Sequence, residues 1–285
     1  MAGKISFENY QFGYSLSGRS DRLPILFLHG FMGDRHDFAP VTSLLIDHYQ
    51  CLSIDLPGHG ETWVMEEAGY GMVLTAQAIM GVLDQLHISQ CFLVGYSMGG
   101  RLALYLTLHF PERFIRAALE SASPGLQTEE ARKQRVQRDW QLAAELETTD
   151  FADFLTNWYG QPLFASMERA LRDTRKGSPS DIAKSALKFV QMLERRQQNQ
   201  PTELAKSLRN LGTGSQPSLW AELAKNQVPL LLLVGELDQK FVQINREMQA
   251  LYPSAQLQLM AGCGHNIHFE NVRNFTESLK EFFKV

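Results

Sequence analysis

The sequence predicts an α/β protein: a mostly parallel central sheet covered by helices on both faces, with an inserted helical cap. Three observations predict it. Short uninterrupted apolar runs, such as Pro24–Leu28 and Leu230–Val234, alternate with longer stretches of helical period, as expected of strands buried on both faces and joined by helical crossovers. From Thr128 to about Asn210 the strand-like runs stop and only helical periodicity remains, which marks an insertion at the rim of the sheet. Gly95-Tyr96-Ser97-Met98-Gly99 joins the apolar run Cys91–Val94 to the helical pattern of Leu102–His109. This G-x-S-x-G spelling suits a sharp strand-to-helix turn that pushes a serine hydroxyl clear of both elements.

The elements follow in order. Ile5–Tyr14 alternates loosely and predicts one or two opening strands. Pro24–Leu28 is a clearer strand, ending in the tight turn His29-Gly30-Phe31-Met32-Gly33, beyond the carboxyl end of a strand where open sheets place their sites. Phe38–His48 reads as a helix with Asp37 as its N-cap. Tyr49–Asp55 is the next strand, broken by Leu56-Pro57-Gly58-His59-Gly60. Gly71–Leu86 is helical, Cys91–Val94 leads into the serine turn, and Phe114–Leu119 is a further strand. In the insertion, Gln127–Leu146, Thr149–Trp158, Ser180–Asn199 and Thr202–Arg209 read as helices, and Pro162–Met167 begins a helical piece. The sheet rhythm resumes at Val228–Val234, followed by a helix at Phe241–Tyr252, a strand at Gln256–Met260 and a closing helix at Asn271–Phe283. The expected domains are therefore a core over 1–126 and 211–285 and a cap over 127–210.

Composition excludes several function classes. The 285 residues are 44% hydrophobic and 20% charged, with a formal net charge of -4 and no long basic block, so nucleic acid is not an expected partner. The three cysteines, Cys51, Cys91 and Cys263, form no paired motif, which fits a reducing compartment. Met1–Gln11 lacks a basic stretch followed by an apolar one, so no secretory signal is expected. The apolar runs are too short to insert in a membrane. The expected location is cytoplasmic, as a monomer or a dimer.

Ser97 needs a base, because a serine hydroxyl is a poor nucleophile or proton relay at neutral pH. His265, in the glycine-rich loop after the last strand, is the best candidate, and Asp238, four residues past Val234, is the best acid. Ser, Asp, His is the chain order of the α/β-hydrolase triad. Glu236 is the rival acid, and His29, His59 and His268 are rival histidines. Backbone N–H groups of Met98, after the serine, and Phe31, after the earlier strand, would form an oxyanion hole. Such a site serves hydrolysis and enolate formation equally well. His265 and His268 lack a third ligand at zinc-like spacing, and no G-x-G-x-x-G follows the first strand, so neither a metal nor a dinucleotide cofactor is expected. Arg101 follows the serine by one helical turn and can point into the cleft, which hints at an anionic substrate.

From about Pro24 onward the chain resembles the α/β-hydrolases, and more narrowly the 2-succinyl-6-hydroxy-2,4-cyclohexadiene-1-carboxylate synthases of menaquinone and phylloquinone biosynthesis. The pieces shared with many relatives are Leu28-His29-Gly30-Phe31-Met32-Gly33, Asp55-Leu56-Pro57-Gly58-His59-Gly60 and Gly95–Arg101. Those that narrow the match are Ser123-Pro124-Gly125-Leu126, Trp158–Phe164, Gly264-His265-Asn266-Ile267-His268 and Leu211–Trp220. Ala131 stands where the family usually has an acid before the first cap arginine. The resemblance implies a lyase that eliminates pyruvate from a small polycarboxylate without a cofactor. Ser97, Asp238 and His265 would be catalytic, and Tyr96, Arg101, Gln127, Arg132, Trp158 and Arg196 would bind substrate. Two other readings stay open: a carboxylesterase or C–C hydrolase with Ser97 as covalent nucleophile, and a non-catalytic anion-binding protein. The arginines would be poorly used by a neutral ester, and the intact triad argues against mere binding.

Overall fold

The computed structural model describes residues 1–167 and 179–284, with side chains described outside 179–186. Strands β1 (Ala2–Phe7) and β2 (Tyr10–Ser17) form an antiparallel hairpin, and β2 also pairs antiparallel with β4 (Gln50–Ile54) and the short β5 (Trp63–Val64). The remaining ladder is parallel. It runs from β4 to β3 (Pro24–Leu28), then through β6 (Cys91–Tyr96), β7 (Phe114–Glu120) and β8 (Leu230–Gly235) to β9 (Gln256–Met260). Every residue of β6 and β8 is buried, which is why both runs are apolar throughout instead of alternating.

Two apolar layers enclose the sheet. On one face, Ile79 and Leu83 of α2 (Met72–Gln85), Leu102 and Leu106 of α3 (Met98–His109) and Met248 of α8 (Gln239–Leu251) pack on Leu26, Leu52 and Leu93. On the other, Phe38, Val41 and Leu45 join Phe275, Leu279 and Phe283 of α9 (Val272–Phe283) over Phe27, Phe92 and Val94. A single edge-to-edge ladder packed this way leaves the carboxyl ends of β3, β6, β8 and β9 free to carry loops side by side.

Between β7 and β8 lie α4 (Glu129–Thr148), α5 (Phe151–Tyr159), α6 (Pro179–Arg196) and α7 (Pro201–Leu211). Thr128 caps α4 by accepting from the Ala131 N–H at 3.2 Å, and Asp150 caps α5 through the Ala152 N–H at 2.9 Å. Leu146, Phe154, Leu155, Leu204 and Leu208 build an apolar cluster of their own, which Met32 enters from the turn after β3. Helix α7 crosses the expected domain boundary: Leu204 and Leu208 serve this cluster, whereas Leu211 packs with the core.

The expected helical piece over Pro162–Met167 begins as a 3₁₀ turn at Pro162–Phe164 and continues as helix over 165–167. One expected element differs. Within the expected helix Phe38–His48, only Ala39–Thr42 is regular α-helix, labelled α1. The Thr42 and Ser43 hydroxyls bond back to the Ala39 and Pro40 carbonyls at 3.1 and 2.8 Å, and the following turns mix three- and four-residue closures. Such local bonds compete with a regular helix. Asp37 does not cap it, because its carboxylate pairs with Arg196 at 2.7 Å.

Candidate active site

Ser97 sits between β6 and α3 with φ 51° and ψ -106°, a strained backbone for a residue with a side chain. The turn closes because its flanks are glycines. A Cβ on Gly95 would lie 2.5 Å from the Gly99 carbonyl, and one on Gly99 would drive into the Leu28 carbonyl. His265 follows β9 and Asp238 follows β8. The Ser97 hydroxyl lies 3.1 Å from His265 Nε2, and His265 Nδ1 lies 2.6 Å from Asp238 Oδ2. The carboxylate fixes the tautomer: Nδ1–H donates to Asp238, which leaves Nε2 free to accept from Ser97. Asp238 is itself held as the N-cap of α8, with Oδ1 accepting from the Phe241 N–H at 3.4 Å.

Ser97, His265, Phe31 and Met98 line one cavity of about 180 Å³ beneath the cap. Among the described residues, the Phe31 and Met98 N–H groups have no hydrogen-bond acceptor. Two free donors beside a serine are what an oxyanion hole requires. Tyr96 also lines the cavity, and burial, more than the nearby Glu120 carboxylate, pushes its phenol well above the usual range, so it stays protonated. Trp158 closes the roof with its ring edge-on to Phe31 at 5.3 Å, and its buried indole N–H has no protein partner among the described residues.

The cavity is cationic. Arg101 is 8% exposed; its guanidinium donates to Gln216 Oε1 at 2.6 Å and to the Leu211 carbonyl at 2.8 Å. Burial, reinforced by Arg135, pushes its pKa down to about 10. Arg135 reaches the same cavity while paired to Asp139 at 2.7 Å, and Lys240 reaches it from the first turn of α8. Arg135 lies within the predicted helix Gln127–Leu146 but is not singled out by the sequence, and Lys240 is signalled only by following Asp238 by two residues.

Three expected substrate contacts are not brought to this cavity. Arg132 turns back to the Leu126 and Gln127 carbonyls at 3.1 and 3.2 Å, and Gln127 is exposed. Arg196 is 3% exposed and committed to Asp37, Asp34 and the Tyr159 hydroxyl. Its neighbour Arg195 faces the same two aspartates at 3.3 Å each. Buried acids at the mouth of the β3 turn attract these arginines more strongly than a solvated cleft would.

The rival groups have structural partners. Glu236 accepts from the Gly262 N–H at 3.2 Å, and His268 bonds Glu120 at 2.7 Å in a buried pair. His29 Nε2 accepts from the Leu56 N–H at 2.9 Å while its Nδ1–H donates to the Gly30 carbonyl. His59 Nε2 accepts from the Met32 N–H at 3.2 Å and its Nδ1–H donates to the Pro57 carbonyl. Burial, with His29 adding to it, holds His59 well below 6.5, so it is neutral in the fold and protonated in the unfolded chain below that pH. The unfolded chain then binds the extra proton, and stability falls as pH drops below 6.5. Stability should therefore be lower at pH 5.5 than at pH 7.5, by on the order of 1 kcal/mol for this one residue. Urea unfolding of the protein and of His59→Gln at both pH values checks this; the variant should lose that share of the pH dependence.

Residues 24–272 match the model of the alpha/beta hydrolase fold family. A putative 2-succinyl-6-hydroxy-2,4-cyclohexadiene-1-carboxylate synthase of Bacillus subtilis is 35% identical over 90% of this chain and 89% of its own. The chain belongs to this synthase family within the α/β-hydrolase fold. The synthase of Enterobacter sp. is 32% identical over 92% of each chain. The solved structure of MenH from S. aureus superimposes with a TM-score of 0.85 and 31% identity, covering 94% of this chain and 97% of that one. As in other members of this fold family, the chain has a mostly parallel sheet with helices. Among the described residues, no helix is long and apolar enough to cross a membrane.

Proposed function

We propose that this chain is a carbon–oxygen lyase that eliminates pyruvate from 2-succinyl-5-enolpyruvyl-6-hydroxy-3-cyclohexene-1-carboxylate, giving the 2,4-cyclohexadiene product of menaquinone or phylloquinone biosynthesis. The observation that carries the substrate side of this reading is the buried Arg101 guanidinium, which among the described residues hydrogen-bonds only neutral oxygens within a cavity that also holds Ser97 and His265. A cation placed so is incomplete without an anion, and planar carboxylates match its fork.

Ser97, His265 and Asp238 are the proposed catalytic residues. The Ser97–His265 pair removes the ring proton beside the succinyl ketone, with Ser97 Oγ passing its own proton to Nε2. The electron pair left on carbon delocalises onto the ketone oxygen, which the Phe31 and Met98 N–H groups bind as an enolate. That pair then returns to form a ring double bond, the existing alkene shifts one position, and the carbon–oxygen bond to the enolpyruvyl group breaks. Pyruvate leaves as its enolate and takes up the proton. No acyl-enzyme is needed. Tyr96, Trp158 and Arg101 bind the substrate, and the core and cap divide at 1–126 with 211–285 and at 127–210. A cytoplasmic location is part of the same proposal.

The test mixes purified protein with enzymatically prepared substrate and follows pyruvate release beside an ester panel. Fast pyruvate release with weak ester turnover, both lost in Ser97→Ala, is expected. Ester turnover without pyruvate release would make Ser97 an acylated nucleophile and overturn the lyase reading.

A further inference from the structure

The turn after β3 must present the Phe31 N–H to the cavity, yet it is not self-supporting. Met32 sits at φ 69°, a left-handed conformation that a residue with a side chain adopts at a cost. Its two peptide groups are therefore informative. The Met32 N–H is taken by His59 Nε2 from the core, at 3.2 Å. The Met32 carbonyl is taken by Asn199 Nδ2, at 3.0 Å, from the segment joining α6 to α7 in the cap. The other end of the same amide, Oδ1, accepts from the Gly60 N–H at 2.8 Å, so Asn199 bridges two core turns. Asn199 is 5% exposed, so both bonds are made in a largely buried setting. Three residues earlier, Arg196 grips Asp37 at 2.7 Å and Asp34 at 3.4 Å, just past the same turn, while its Nε–H donates to Tyr159 of α5 at 3.1 Å.

We infer that the end of α6 acts as a clamp on the oxyanion turn, with Asn199 and Arg196 as positioning residues that hold the Phe31 N–H where charge develops. The inference rests on the reading of Phe31 as an oxyanion donor. It gives Arg196 a different task from the substrate contact implied by family resemblance. One half of a core catalytic element is thus supplied by the cap. A donor that stabilises the transition state but only weakly holds the ground state acts on kcat more than on KM.

The test uses the full-length protein with Asn199→Ala and Asn199→Asp. The aspartate keeps an acceptor for the Gly60 N–H but loses the donor to Met32. Both variants should lower kcat for pyruvate release at least tenfold, with KM within twofold. Phenylboronate, whose adduct with Ser97 places an anionic oxygen in the hole, should bind at least tenfold more weakly to both by calorimetry. Arg196→Lys should behave in the same way. Wild-type kcat and boronate affinity in a folded Asn199→Ala would overturn the clamp. So would recovery in Asn199→Asp, which would assign the residue to Gly60 alone. A raised KM with kcat intact in Arg196→Lys would return Arg196 to substrate binding. If Asn199→Ala does not fold, the near-isosteric aspartate carries the test. If the wild type releases no pyruvate, the lyase reading fails while the boronate arm still decides the clamp. Failure of boronate to bind the wild type would remove the oxyanion site on which the clamp depends.

Discussion

Replacing His265 with alanine should lower kcat for pyruvate release by about 10²- to 10⁴-fold, the range expected for loss of a positioned general base. KM should change little, because the imidazole faces Ser97 and Asp238 and the cations of the cavity remain in place. The size follows from geometry. His265 Nε2 lies 3.1 Å from the Ser97 hydroxyl, and its orientation is set by a 2.6 Å bond to Asp238. Asp238→Asn should also fall steeply, since an amide can donate to Nδ1 and so favours the tautomer that protonates Nε2. Coupled pyruvate detection under single-turnover conditions measures both variants, with thermal unfolding as the control for fold. A loss below tenfold in folded His265→Ala would mean that another group takes the ring proton.

The parts of this site that were legible in the sequence are those fixed by local chain geometry. Gly95 and Gly99 are spelled by the collision a Cβ would make with neighbouring backbone, and Ser97 stands between them for the same reason. Asp238 and His265 follow strand runs whose burial makes them apolar throughout, so position after a strand was enough to find them. The cap was legible as helices because apolar residues such as Phe151, Phe154, Leu155 and Trp158 recur at the helical period. What was not legible depends on which long side chain meets which acid across the fold. Arg132, Arg135, Arg195 and Arg196 look alike in sequence, yet only Arg135 reaches the cavity. Asp34 and Asp37 capture Arg195 and Arg196 from more than 150 positions away, and no periodicity reports that pairing. Asp37 misled for the same reason: as a local N-cap signal it was sound, but burial against Arg196 outweighs capping.

The second large effect should come from Arg101. Its pKa of about 10 lies below the ordinary arginine range, so the fold disfavours its charge by about 3 kcal/mol at neutral pH. The unfolded chain keeps this proton to a higher pH than the folded one, which keeps it only to about 10. The burden is therefore present in full below pH 10 and is relieved as pH rises beyond it. A substrate carboxylate relieves it at neutral pH instead, by returning to the guanidinium the anion that burial removed from solvent contact. Arg101→Met should then lower kcat/KM for the carboxylated substrate by about 2–5 kcal/mol, or roughly 30- to 4,000-fold. Arg101→Lys should restore only part, because an ammonium cannot make the two-pronged contact. Turnover of a neutral ester by the same variants should stay within a few-fold of wild type. The free protein tests the argument from its other side. Arg101→Met removes the disfavoured charge but strands the Gln216 amide oxygen and the Leu211 carbonyl, each worth about 1–3 kcal/mol. These opposing changes should leave the unliganded melting temperature nearly unmoved, whereas succinate should raise the melting temperature of the wild type and not that of Arg101→Met. Succinate stabilising Arg101→Met as much as wild type would place the anion site elsewhere in the cavity, at Arg135 or Lys240.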